Sequence, residues 1–153
     1  QGVIAQHIPN VKIIHCYRNP LDNILSIYRG HFSGSHYYSS SLTDCTRVYL
    51  DQDEIMSKYK NRFRSKIYDL DYDSLVSNPN HEIKKLIAWL GWKWESKYLS
   101  PHLNKRSVKT ASNVQVRSPI NSKSVGGWKN YKEMLKPAMK IITQKDKYKN
   151  LIY

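Results

Sequence analysis

Cysteine is scarce in this chain. Only Cys16 and Cys45 occur in 153 residues, and they form no CxxC pair. That excludes a disulfide framework and a cysteine-rich zinc module, and a reducing, cytoplasmic setting is the expectation. The six histidines have no ligand spacing. His31 and His36 lie close together, but no cysteine or acidic residue completes a site, so no structural metal is expected. No apolar run reaches the roughly 20 residues that cross a membrane. The opening QGVIAQHIPN lacks the basic flank and long apolar segment of a leader peptide. No Walker-type GxxxxGK is present.

Acidic residues are also few, 12 against 25 lysines and arginines, for a formal net charge of +13. Such a balance favours polyanions, phosphorylated ligands or acidic surfaces as partners. Equally, the cations are scattered beside Asn, Ile and Tyr, a pattern that biased base composition alone produces. What the chain does have is 40% hydrophobic residues with four Trp and twelve Tyr, enough for a globular chain with a real core. Its length suits a single domain spanning 1–153. It starts on Gln1, almost directly in a core strand, and is expected to be part of a longer protein.

The alternation along the chain is that of an α/β fold with a parallel sheet. Val11 to Tyr17 reads as a buried strand. Asn19 can cap a following helix, with Pro20 at its first position and Gly30 or Gly34 at its end. A polar, Ser-rich loop follows, then an amphipathic helix from Thr43 to Arg64 with Val48, Ile55, Met56, Tyr59 and Phe63 on its apolar face. Lys66 to Tyr72 predicts a second strand with Ile67, Tyr68 and Leu70 inward. Asp73 to Val76 is a helical turn. Pro79 opens a helix that buries Ile83, Leu86, Ile87 and Leu90 and stops at Gly91. Trp94 to Trp128 is irregular. A closing helix runs from Tyr131 to Ile142, and 143–153 is expected as a frayed tail.

Ligands of such folds sit beyond the carboxyl ends of the strands, where Arg18 and Tyr72 fall. A helix N-terminus offers N–H groups and a positive dipole end, and a guanidinium adds a bidentate clamp. Arg18 before the cap and Ser26 two turns on, about 10 Å along the axis, can therefore seat an oxygen-rich anion. The alternative is local: Arg18 pairs with Asp22, and Ser26 bonds back to the Asp22 carbonyl.

The stretch IIHCYRNPLDNILSIYRGHF resembles the 3′-phosphate-binding segment of sulfotransferases that use 3′-phosphoadenosine 5′-phosphosulfate (PAPS). The likeness is greatest to bacterial members fused to tetratricopeptide repeats and to the tyrosylprotein sulfotransferases. It implies that Arg18 and Ser26 hold the 3′-phosphate. LDYDSLVSNPNHEIKKLIAWLGWKWE resembles the segment whose tyrosine lies near the adenine, a role that falls on Tyr72. HLNKRSVKTASNVQVRSPINSKSVGGWKNY resembles the loop that folds over the nucleotide, which implies contacts from Ser112, Gln115, Val116 and Arg117.

The resemblance implies a P-loop-NTPase-like parallel sheet flanked by helices, and it also marks what this chain lacks. The family's phosphosulfate loop, PRSGTT or a variant, is absent. It and the N-terminal strand before it are expected upstream of Gln1, as is the catalytic base, since His7 and His15 sit in no matching motif. His15 is expected as a core residue. Gly127 stands where bacterial relatives have a basic residue, and Lys123 is the nearest cation to serve the nucleotide. The implied activity is transfer of a sulfuryl group from PAPS, without a metal, to a hydroxyl of a protein or carbohydrate, leaving 3′-phosphoadenosine 5′-phosphate (PAP). Tetratricopeptide repeats are implied upstream. The rival readings are a basic nucleic-acid-binding module and an inactive sulfotransferase-like scaffold.

Overall fold

Residues 2–30, 36–104 and 115–151 are described by a computed structural model. The chain forms two compact units, one holding Val3–Tyr17 and Ser65–Lys123, the other Arg18–Arg64 and Ser124–Tyr153.

The first unit contains a parallel sheet of two strands, β1 (Ile13–Tyr17) and β2 (Ile67–Asp71), paired in register from Ile13 opposite Ile67 to Tyr17 opposite Asp71. This is the α/β arrangement expected, in a small form. Ile67 and Leu70 are buried as expected, whereas Tyr68 is half-buried and packs on the Trp89 ring 5.2 Å away. β1 departs from the buried strand predicted: Ile14 is 40% exposed, and Cys16 is exposed too. Apolar composition alone cannot tell a covered strand from one whose second face is open.

A helix not foreseen, α1 (Gly2–His7), precedes β1. The Lys66 ammonium donates to the Ala5 carbonyl at 2.7 Å and the Ile8 carbonyl at 3.3 Å, satisfying groups at the helix end. After β2 come α4 (Tyr72–Ser77), capped by Asp71, and α5 (Pro79–Leu90), capped by Asn78 with Pro79 in its first turn. α5 ends where Gly91 takes φ +74°, which a residue with a Cβ adopts only under strain. Of its predicted apolar face only Ile87 is fully buried. The irregular stretch carries 3-10 turns at Ser96–Leu99, Pro101–Leu103 and Gln115–Arg117.

The second unit packs α2 (Pro20–Arg29), α3 (Leu42–Phe63) and α6 (Lys132–Ile142) around Leu21, Ile24, Leu25, Cys45, Trp128, Leu135, Ala138 and Ile142. α3 begins where Ser41 Oγ accepts from the Asp44 N–H, and it turns Cys45, Thr46 and Met56 inward. Ile55, expected on the apolar face, is 49% exposed, because the inward stripe passes through its neighbour Met56. The predicted frayed tail is corrected over its described part. Asp146–Tyr148 forms a 3-10 turn that buries Tyr148 and places its hydroxyl 3.5 Å from that of Tyr49. Lys147 reinforces it by donating to both carboxylate oxygens of Asp53, at 2.6 and 2.8 Å.

Candidate functional site

α2 starts because Asn19 and Pro20 make a strong entry. The Asn19 side-chain oxygen accepts from the Leu21 N–H at 3.0 Å and the Asp22 N–H at 3.3 Å. The Asn23 N–H bonds to the Asn19 carbonyl at 3.0 Å, and Pro20 has no N–H to give. The backbone donors of the first turn are thus all engaged within the helix and its cap. Donors for an anion at this turn would therefore come from side chains such as Arg18.

Arg18 stands immediately after β1 with its side chain 20% exposed. Its Nη2 donates to the Ser124 carbonyl at 3.1 Å and lies 3.9 Å from Asp22 Oδ2. The local pairing weighed as the alternative is therefore present, as a long contact. Asp22 is buried, with only 1% of its side chain exposed. Its carboxylate accepts from the Gly126 N–H at 2.7 Å and the Trp128 N–H at 2.8 Å. One carboxylate therefore pins the Gly126–Trp128 turn to α2 while facing the Arg18 guanidinium. Hydrogen bonds to a buried carboxylate are among the stronger kind, and here they hold backbone against helix.

The pinned turn is built for close approach. Gly126 has φ +71° and leads into the 3-10 turn Gly127–Tyr131. A Cβ added at Gly127 would lie 3.7 Å from Asp22 Oδ1, an ordinary contact. Cations edge the same turn: Lys132 lies 5.8 Å from the Trp128 ring and Arg29 5.4 Å from the Tyr131 ring. Ser26 is exposed on α2, two turns beyond Pro20. The bond from its hydroxyl to the Asp22 carbonyl is not found among the described residues.

The other predicted residues fall in the first unit. Tyr72 follows β2 directly and is half-buried at the start of α4. Arg117 is exposed and donates to the Asn104 carbonyl, tying two 3-10 turns together. Val116 is 39% exposed. Lys123 is exposed, and its backbone N–H bonds to Asn121 Oδ1 at 3.2 Å. Gln115 begins the turn Gln115–Arg117. Ser112 lies outside the described residues.

Two features escaped the reading of the sequence. Asp22 was weighed only as a local partner for Arg18, and its spacing four residues after Arg18 was the signal. The second is His15. It was expected in the core, yet its Nδ1 lies 3.0 Å from Asp69 Oδ1, across the strand pair His15 opposite Asp69. Cys45 makes no nucleophile: burial and then the Asp44 charge push its thiol up, and Sγ donates to the Tyr38 carbonyl at 3.2 Å. Among the described residues no cluster of His, Cys, Asp and Glu could hold a metal ion.

Comparison with known proteins bears on this arrangement. Over 146 residues, 94% of its length, the chain is 34% identical to an uncharacterized protein of Aquifex aeolicus (strain VF5). It spans 19% of that relative's length. The model of the sulfotransferase family matches residues 1–96, a range that includes β1, Arg18, Asp22, Ser26 and Tyr72. This chain belongs to the sulfotransferase family.

Proposed function

We propose that this chain is the nucleotide-holding part of a sulfotransferase that moves a sulfuryl group from PAPS to a hydroxyl of a protein or carbohydrate. In that reaction the acceptor oxygen bonds to sulfur, the bond from sulfur to the bridging phosphate oxygen breaks, the acceptor proton leaves and PAP departs. Arg18 and Ser26 bind the 3′-phosphate, and Tyr72 with Val116 and Arg117 serves the rest of the nucleotide. The two-stranded parallel sheet is then part of a larger P-loop-like sheet. The phosphosulfate loop and the base belong to segments of the whole protein beyond this sequence.

One observation carries the reading. Arg18, at the end of a parallel strand, is fixed on the Ser124 carbonyl beside a buried carboxylate. A guanidinium oriented in this way, with the exposed Ser26 hydroxyl on the helix that follows, fits a phosphate bound by side chains. These contacts orient the donor and perform no chemistry themselves. Charge developing on the bridging oxygen must be met by groups elsewhere.

The test is equilibrium binding of PAP and of 5′-AMP, which lacks the 3′-phosphate. Arg18→Ala should weaken PAP by about tenfold or more and leave 5′-AMP nearly unchanged. Equal weakening of both ligands, with the same salt dependence for each, would point to the polyelectrolyte behaviour of a nucleic-acid-binding module.

A further inference from the structure

We propose that Asp22 is a positioning residue of the anion seat, setting through Arg18 and the Gly126–Trp128 turn the orientation in which the guanidinium meets a 3′-phosphate. This rests on the reading of Arg18 given above and adds a residue to it.

The geometry supports a role beyond neutralising a charge. Asp22 Oδ2 is shared, accepting from the Gly126 N–H at 2.7 Å while lying 3.9 Å from Arg18 Nη2. The same Nη2 donates to the Ser124 carbonyl, two residues before Gly126. The carboxylate thus holds the turn, the turn presents the carbonyl, and the carbonyl fixes one arm of the guanidinium. A guanidinium is a planar fork, so fixing one arm sets the plane of the whole group. An oriented fork loses little freedom when a phosphate docks. The negative charge of Asp22 opposes anion binding at Arg18, but its two amide hydrogen bonds draw much of that charge toward the turn.

The stretch around Arg18, which the family model matches, and the stretch around Gly126, which only resembles the family's nucleotide-covering loop, are therefore joined at Asp22. Replacement by asparagine keeps the shape and breaks the logic. One side-chain oxygen can still accept, but the amide NH2 faces a donor, whether an amide of the turn or Arg18.

The experiment measures PAP and 5′-AMP affinity for the full chain, for Asp22→Asn, for Arg18→Ala and for the double variant. Asp22→Asn should cut the preference for PAP by about fivefold while 5′-AMP affinity holds. On the Arg18→Ala background the same change should alter the preference by less than about twofold, since the effect runs through Arg18. An unchanged or larger preference in Asp22→Asn would overturn the proposal, because the carboxylate would then only screen the guanidinium. Equal losses for both ligands would overturn it as well, leaving Asp22 a purely structural role. A full chain with no preference for PAP would refute the reading of Arg18 itself, and with it this inference. Should Asp22→Asn not fold, Gly126→Ala shifts one carboxylate donor while keeping the charge, and it must lower the preference in the same direction.

Discussion

Truncating Asp22 to alanine tests the structural half of this arrangement through stability alone. The change strips the acceptor from two backbone N–H groups, that of Gly126 at 2.7 Å and that of Trp128 at 2.8 Å. A hydrogen bond to a charged group contributes about 1.5–3 kcal/mol. Trp128 is only 4% exposed, so its N–H has little recourse to water, whereas Gly126 is half-buried and regains some hydration. Removing a buried carboxylate also relieves its own desolvation, which offsets part of the loss. The net cost should be about 3 kcal/mol, a large share of the roughly 5–15 kcal/mol that stabilises a domain. For a chain of this size that is a fall in Tm of about 6–12 °C. Urea unfolding followed by tryptophan fluorescence and by circular dichroism measures it directly. Asp22→Asn, which retains one acceptor oxygen, should lose about half as much. A variant Asp22→Ala within about 0.5 kcal/mol of the parent would refute the view that this carboxylate holds the turn.

Other perturbations address the surrounding structure. Gly126→Ala forces a Cβ into φ +71° and should destabilise by about 1–2 kcal/mol, whereas Gly127→Ala should be milder in the same urea titration. Ile142→Ala, at a fully buried position of the helical core, should cost about 2–5 kcal/mol in chemical denaturation. Burial pushes the Tyr148 hydroxyl up from 10.0 to about 12, and burial with the Tyr148 hydrogen bond pushes Tyr49 higher still. With folded values above the unfolded one, their contribution is intact below about pH 10 and falls as pH rises through about 12. Urea midpoints measured across that window should drop, and the drop should flatten in a Tyr49→Phe, Tyr148→Phe double variant.

Much of the local structure was legible because its signals are chemical and short-range. Asn19-Pro20, Pro79 and Gly91 mark helix ends through a cap and backbone preferences, and all three act as read. The family was legible too, since ordered motifs survive where periodicity is weak. The burial of β1 was not, because a run of apolar residues records what a strand tolerates and not what covers it. Arg18 stands at the strand end, and the Asn19 cap that the sequence foretells takes up the amides of the helix's first turn. The sequence could not reveal that Asp22 reaches Gly126 and Trp128, more than a hundred residues away, because such a bond depends on tertiary placement alone.

The chain's passage between its two units has a consequence for how the protein is made and how it can be cut. It crosses from one unit to the other after Tyr17, again after Arg64 and again after Lys123. Neither unit is a contiguous piece of sequence, so neither can be excised by choosing two endpoints. On the ribosome β1 must wait for β2, and the whole of α3 is synthesised between them. The helical core cannot close until Tyr148, five residues from the last, has emerged. The Asp22 contact shares that delay, because the Gly126–Trp128 turn is made more than a hundred residues after Asp22. A truncation that spares every residue proposed to hold the nucleotide but removes the last ten would still take Tyr148 from the core in which Leu21, Ile24 and Trp128 pack.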